Sequence, residues 1–174
     1  CTAQVLLANI AGMYAVYHGP AGLKTIAERT HRLTSILASG LERLNVEVET
    51  KTYFDTLKVA VTNAQVVHKR AADAGINLRH VDSNHIGVSL DETTTRSDVE
   101  LLWAVISGIK KIDFTVPQLD RDASKGIPVR LRRSSEILGH SVFNSYHSET
   151  AITRYMRELE CKDLALNQAM IPLG

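Results

Sequence analysis

Apolar residues Val5, Leu6, Ile10, Met13, Tyr14 and Tyr17 recur at steps of three or four, with small Ala8, Ala11, Gly12 and Ala15 between them. That spacing predicts a helix that is apolar almost all round. Such a helix is expected to be buried, and its small residues admit a second backbone at close range, so it is expected to pack against further material. His18-Gly19-Pro20 breaks the pattern, because Pro20 has no N–H for the upstream ladder yet is well placed to open a new helix. In that second helix Leu23, Ile26, Thr30, Leu33, Leu37, Leu41 and Leu44 form a stripe, while Lys24, Glu28, Arg29, Arg32, Glu42 and Arg43 lie mostly off it. Asn45 is a plausible stop.

The period then changes from 3.6 to 2. Val46 and Val48 alternate with Glu47 and Glu49, and Leu57, Val59 and Val61 with Lys58, Ala60 and Thr62, which predicts two short strands. Asn63 caps a helix running to Ala74, and Gly75 supplies the left-handed position that ends it. Residues 76–81 and 85–90 read as strands around the turn Asp82-Ser83-Asn84, with Ile86, Val88 and Leu90 on one side. Thr95 and Asp98 form a capping box before a helix carrying Val99, Leu102, Val105, Ile106 and Ile109, with Gly108 near its end.

This order predicts an α+β fold over residues 1–109, a mainly antiparallel sheet with helices on one face. Its expected core holds Leu33, Leu37, Leu41, Leu57, Val59, Val61, Ile86, Val88, Leu102 and Ile106. From 110 to 141 the periodicity disappears among Pro117, Gly126, Pro128 and Gly139, so this stretch reads as a connector, too long for a loop inside one compact domain. Residues 142–174 hold one more helix, with Ile152, Tyr155, Met156 and Leu159 on one face. One helix cannot make a core alone.

Composition narrows the class. With 174 residues, 44% hydrophobic and 22% charged, the chain has the make-up of a globular protein, which excludes collagen-like, disordered and disulfide-scaffold readings. A net charge of +1 gives no field favouring nucleic acid or anionic lipid. Residues 3–17 are too short and too interrupted, by Gln4, Asn9 and Gly12, for a membrane span of roughly 20 residues. Cys1 and Cys161 lie far apart with no signal-peptide pattern, so a reducing cytoplasm is expected. The apolar start without Met and the stop at Ile171-Pro172-Leu173-Gly174 suggest a piece of something longer, the alternative being a closely trimmed domain.

Candidate chemistry is sparse. His18-Gly19-Pro20-Ala21-Gly22 follows a helix rather than a strand, so it reads as a helix-helix turn and not as a phosphate cradle. His80 and His85 flank a turn without a third metal ligand set by spacing, and no metal site is expected. Asp91-Glu92 reads as a solvated pair at a helix start, and Arg130, Arg132 and Arg133, without interleaved aromatics, as a solvated or bridging stretch. The dense polar segment is residues 144–150, in which Tyr146, His147, Ser148 and Glu149 are the pocket candidates. Capping by Ser148 with Glu149 in the first turn explains half of it; an active-site contribution is the other reading. No catalytic triad is expected, because adjacent residues do not face one another on a helix.

The stretches CTAQVLLANIAGMYAVYHGP, YFDTLKVAV, GVSLDETTT and VFNSYHSETAITRYMRELECKDLALNQAMIPLG resemble the glycine dehydrogenase (decarboxylating) family, the pyridoxal-phosphate-dependent subunit of the glycine cleavage system, in its long single-chain bacterial form. The resemblance runs end to end, departing only near 110–133. It implies an aminotransferase-like fold in two homologous halves, with 1–109 as the small domain closing the first, non-catalytic half and 142–174 as the start of the catalytic half. It also implies that the Schiff-base lysine lies beyond Gly174, so that this chain alone binds no pyridoxal phosphate and is inactive. The parent substrate would be glycine, and the partners a lipoyl carrier protein, the rest of the same enzyme and a second copy in a homodimer. A free-standing α+β regulatory or ligand-binding module is the alternative.

Overall fold

The computed structural model describes residues 2–121 and 126–170, so Cys1 and the terminal tetrapeptide lie outside the described residues. The elements are α1 (Thr2–Arg43), β1 (Thr56–Ala60), α2 (Ala64–Asp73), β2 (Arg79–Asp82), β3 (His85–Ser89), α3 (Arg96–Ser107), α4 (Val116–Leu119), two 3-10 turns (Val129–Leu131 and Ser141–Asn144) and α5 (Glu149–Glu160). The expected break after Tyr17 is a kink inside α1, where Gly19 leaves helical dihedrals (φ 60°, ψ −176°) just before Pro20. Two compact units emerge, one from Ile26 to Arg133, the other joining the chain up to Thr25 with the chain from Ser134 onward.

The 26–133 unit is α+β. Its antiparallel sheet has the order β1-β3-β2, and the register pairs Leu57 with Val88 and Val59 with Ile86. Residues opposite one another share a face, and these four are buried. On the other face Thr56 meets Ser89 through a 2.8 Å hydroxyl contact. The strand expected at 46–49 is reduced to a single bridge, Val48 to Val59, because the Lys58 N–H donates to the Thr50 hydroxyl (2.8 Å) and the ladder stops there. Local chemistry sets the helix ends as the sequence implies. Asn63 accepts from Val66 N–H, Thr95 and Asp98 exchange their capping-box bonds, and Gly75 and Gly108 occupy left-handed positions (φ 73° and 76°).

Nine of the ten expected core residues are buried, and Val61 is partly buried. The largest buried side chain is Trp103, whose indole N–H donates to the Leu37 carbonyl (3.0 Å). It lies on Gly40, where a Cβ would sit 2.1 Å from the ring. The core does not end at 109. Phe114, Val116 and Leu119 are buried in it, Phe114 edge-on to Trp103 at 5.1 Å. Three apolar residues spread over six positions carry no visible period, which is why the start of this stretch reads as connector.

The other unit has little interior. Val16 is buried, but Val5, Leu6, Leu7 and Ile10 are 55–64% exposed, so the first part of α1 is not the buried helix its pattern implies. An apolar pattern sets which face seeks cover, not whether cover is present. No helix among the described residues is long and apolar enough to cross a membrane.

Candidate functional site

The polar segment before α5 is built mostly from structural bonds. Asn144 Nδ2 donates to the carbonyls of Leu138 and His140 (both 3.1 Å), and the Ser145 hydroxyl to that of Ser141 (2.7 Å), which closes the 3-10 turn. Ser148 caps α5, its Oγ accepting from the Ala151 N–H at 3.2 Å. Tyr146 stacks on Tyr155 one turn and a half into that helix, with ring centroids 4.2 Å apart. Glu149 is the first residue of α5 and exposed, where its charge suits the positive helix end.

His147 is held differently. Its Nδ1 lies 2.8 Å from the Tyr17 carbonyl oxygen. A carbonyl can only accept, so Nδ1 carries the hydrogen and the neutral ring presents Nε2 as a lone pair. The kink provides for this contact. Gly19 leaves helical dihedrals, which breaks the ladder beside Tyr17, and it admits the imidazole, since a Cβ there would lie 2.5 Å from His147 Cε1 and 2.7 Å from the Phe143 carbonyl. An exposed imidazole oriented through Nδ1 is the arrangement of a general base or of a hydrogen-bond acceptor for an incoming ligand. Among the described residues no hydrogen bond links His147, Ser148 and Glu149 to one another, and Ser148 Oγ is engaged with Ala151, so these neighbours do not assemble a nucleophile and its base.

The remaining candidates separate. His80 pairs with Ile86 and shares its face, whereas His85 projects from the opposite one. His80 stacks on His68 at 5.3 Å, while His85 sits between Asp82 (Nδ1, 2.7 Å) and Glu49 (Nε2, 2.9 Å). Both carboxylates titrate below their ordinary range, Glu49 chiefly through the bond from Lys58, Asp82 chiefly through the Asn84 N–H. No group of three or more metal-ligating side chains occurs among the described residues. Asp91 is not in the first turn of α3. It closes the preceding loop by accepting from the Thr93 hydroxyl (2.7 Å) and N–H (2.9 Å), bonds that hold its carboxyl low, and Asp98 is the first-turn acid. Arg132 donates to the Ile127 carbonyl through Nε and Nη2 (both 3.2 Å), and Arg130 is exposed.

A groove of about 490 Å³ between the 45–47 loop, α2 and the end of α3 contains Arg70. Its Nη2 donates to the Ile106 carbonyl (3.1 Å), and a Cβ on Gly108 would lie 1.9 Å from Nη1, so this arginine closes the C-terminus of α3.

Comparison with known proteins decides the lineage. The family model of the glycine cleavage system P-protein matches residues 1–106, more than half of the chain. The chain belongs to that family. It is 55% identical over its whole length to glycine dehydrogenase (decarboxylating) of Sodalis glossinidius, and 54% identical to the proteins of that name from Serratia proteamaculans and Escherichia coli. The chain spans 18% of the length of each of these relatives. Residues 107–170, which include the His147 site, lie outside the matched family model but inside the whole-chain identity.

Proposed function

We propose that the polypeptide carrying this P-protein segment decarboxylates glycine with pyridoxal phosphate and passes the aminomethyl group to the lipoyl arm of a carrier protein. The observation that carries this reading is the 54–55% identity over the whole chain to relatives named for glycine decarboxylation. In this reading residues 1–109 belong to the small domain closing the first half, the following stretch to 141 adds Phe114, Val116 and Leu119 to that domain's core before it connects onward, and 142–174 open the catalytic half of an aminotransferase-like enzyme working in the cytoplasm. The exposed apolar start of α1 supports it, since a longer polypeptide has material to cover that face.

The described residues do not themselves fit the cofactor. A Schiff-base lysine needs a desolvated amine, yet Lys24, Lys51, Lys69, Lys110, Lys111 and Lys162 are exposed and Lys58 is paired with Glu49 at 2.7 Å. In this proposal the chain by itself is inactive. What it contributes is His147, whose Nε2 would accept a hydrogen bond from the substrate or from the arriving lipoyl arm, with Tyr146 lining the passage. The test is exchange of labelled carbon dioxide into the glycine carboxyl by the complete polypeptide with its carrier, beside borohydride trapping on the isolated chain. Exchange by the former and no stoichiometric lysine adduct on the latter are expected; no exchange by the complete polypeptide overturns the activity, and a single-lysine adduct on the chain overturns its inactivity.

A further inference from the structure

Cationic groups also gather far in sequence from the His147 site. In the 26–133 unit a cavity of about 270 Å³ is lined by Arg29, Arg32, Leu33, Ile36, Arg96 and Asp120. Arg29 spreads its fork over the loop that leads into α3, Nη1 donating to the Glu92 carbonyl (2.9 Å) and Nη2 to that of Thr94 (2.7 Å). Both partners are neutral, so the bonds fix the guanidinium without cancelling its charge. Arg32 Nε meets Asp120 Oδ1 at 2.6 Å. Arg96, exposed, is the first residue of α3, where the positive end of the helix adds to its own charge.

Structural roles account for part of this. Arg29 straps the 92–94 loop to α1, and Arg32 ties α1 to the end of α4. They do not account for Arg96, a third arginine on the same cavity wall with an exposed side chain. The described lining residues include three arginines and one carboxylate, Asp120, which Arg32 engages, together with buried Leu33 and Ile36.

We propose that this cavity binds a small phosphate-bearing anion. An anionic group suits a cavity whose described lining carries more arginines than carboxylates, and phosphate oxygens accept from arginine forks in two directions at once. The apolar floor and the volume leave room for a short organic substituent, so a phosphate monoester fits as well as inorganic phosphate.

The test is site-resolved modification of arginines by phenylglyoxal in the complete polypeptide, read by peptide mass spectrometry at pH 8 and constant ionic strength. With inorganic phosphate or glycerol phosphate at about four times a millimolar dissociation constant, Arg29 and Arg96 are expected to react about fivefold more slowly than in chloride, while exposed Arg130 reacts at the same rate. The Arg96→Gln variant, with an unchanged melting temperature, is expected to lose the protection of Arg29. Equal rates in phosphate and chloride, equal protection of Arg130, or full protection of Arg29 in Arg96→Gln would each overturn the site; equal protection of Arg130 would signify an adventitious ion only.

Discussion

The two compact units spend their apolar residues in opposite ways. Between Ile26 and Arg133, side chains from α1, the sheet, α3 and α4 converge on one cluster around Trp103. In the unit made from the two ends of the chain, a comparably apolar helix segment points Val5, Leu6, Leu7 and Ile10 at solvent. Hydrophobic content is therefore a poor guide to self-sufficiency. What separates the units is closure, since the first brings several elements around a common centre while the second leaves one helix face without a counterpart among the described residues.

Hydrogen exchange is expected to show the contrast most strongly. Amides of 33–41, 57–59, 86–88 and 102–106 should exchange slower than those of 149–160 by a factor of about 10³ or more, because opening the former requires loss of the shared core. Similar protection in both sets would mean that the units unfold as one.

A pair of glycines sharpens the same comparison. Gly40→Ala puts a Cβ 2.1 Å from Trp103 and is expected to cost about 1–3 kcal/mol by overpacking, measured as a fall in denaturant midpoint. Gly12→Ala meets nothing within 4 Å and is expected to strengthen its exposed helix by about 0.5–1 kcal/mol. If the apolar start of α1 is covered in the complete polypeptide, the Gly12 substitution should change sign there. A gain in both settings would leave that face uncovered.

For the weaker unit the sensitive position is His147. In the complete enzyme His147→Ala is expected to lower turnover by a factor of about 10 with little change in melting temperature. A residue that only packs against the kink would instead cost roughly 0.5–2 kcal/mol of stability and leave turnover per folded enzyme unchanged.

The smallest effect concerns acid. Asp91 and Asp98, like Glu49 and Asp82, are held below their ordinary range, the first two chiefly by threonine hydroxyls. Groups with a lowered folded pKa stabilise the fold above the unfolded value and lose that contribution as pH falls through the folded one. The melting temperature of the 26–133 unit is thus expected to be insensitive to these groups down to about pH 5 and to drop below about pH 4. Calorimetry should find a shallower acid slope in Asp98→Asn; an unchanged slope would show that the capping carboxylate does not contribute.

Legibility in the sequence follows the range of the interaction. Asn63, Gly75, the Thr95-Asp98 box, Gly108 and Ser148 act on backbone groups a few residues away, so their roles can be read locally. The inward row Leu57, Val59, Ile86 and Val88 is legible because alternation reports one buried face. Trp103 on Gly40 is not, since neither residue signals the other across the chain. The site divides in the same way. Ser148 is legible as a cap and His18-Gly19-Pro20 as a break, but nothing local indicates that the break receives His147, a contact that joins positions 130 residues apart.

That contact sets an order of events during synthesis. Tyr17 and the kink are made before His147, and at about 5–20 residues per second roughly 6–26 s separate them. In that interval the whole of 26–133 is translated and has local helices and a three-stranded sheet to form, while the kink still lacks its imidazole. The unit that joins the segments before Thr25 and after Ser134 is thus completed only after the 26–133 unit has been translated, so the kink holds its place for the imidazole throughout the wait.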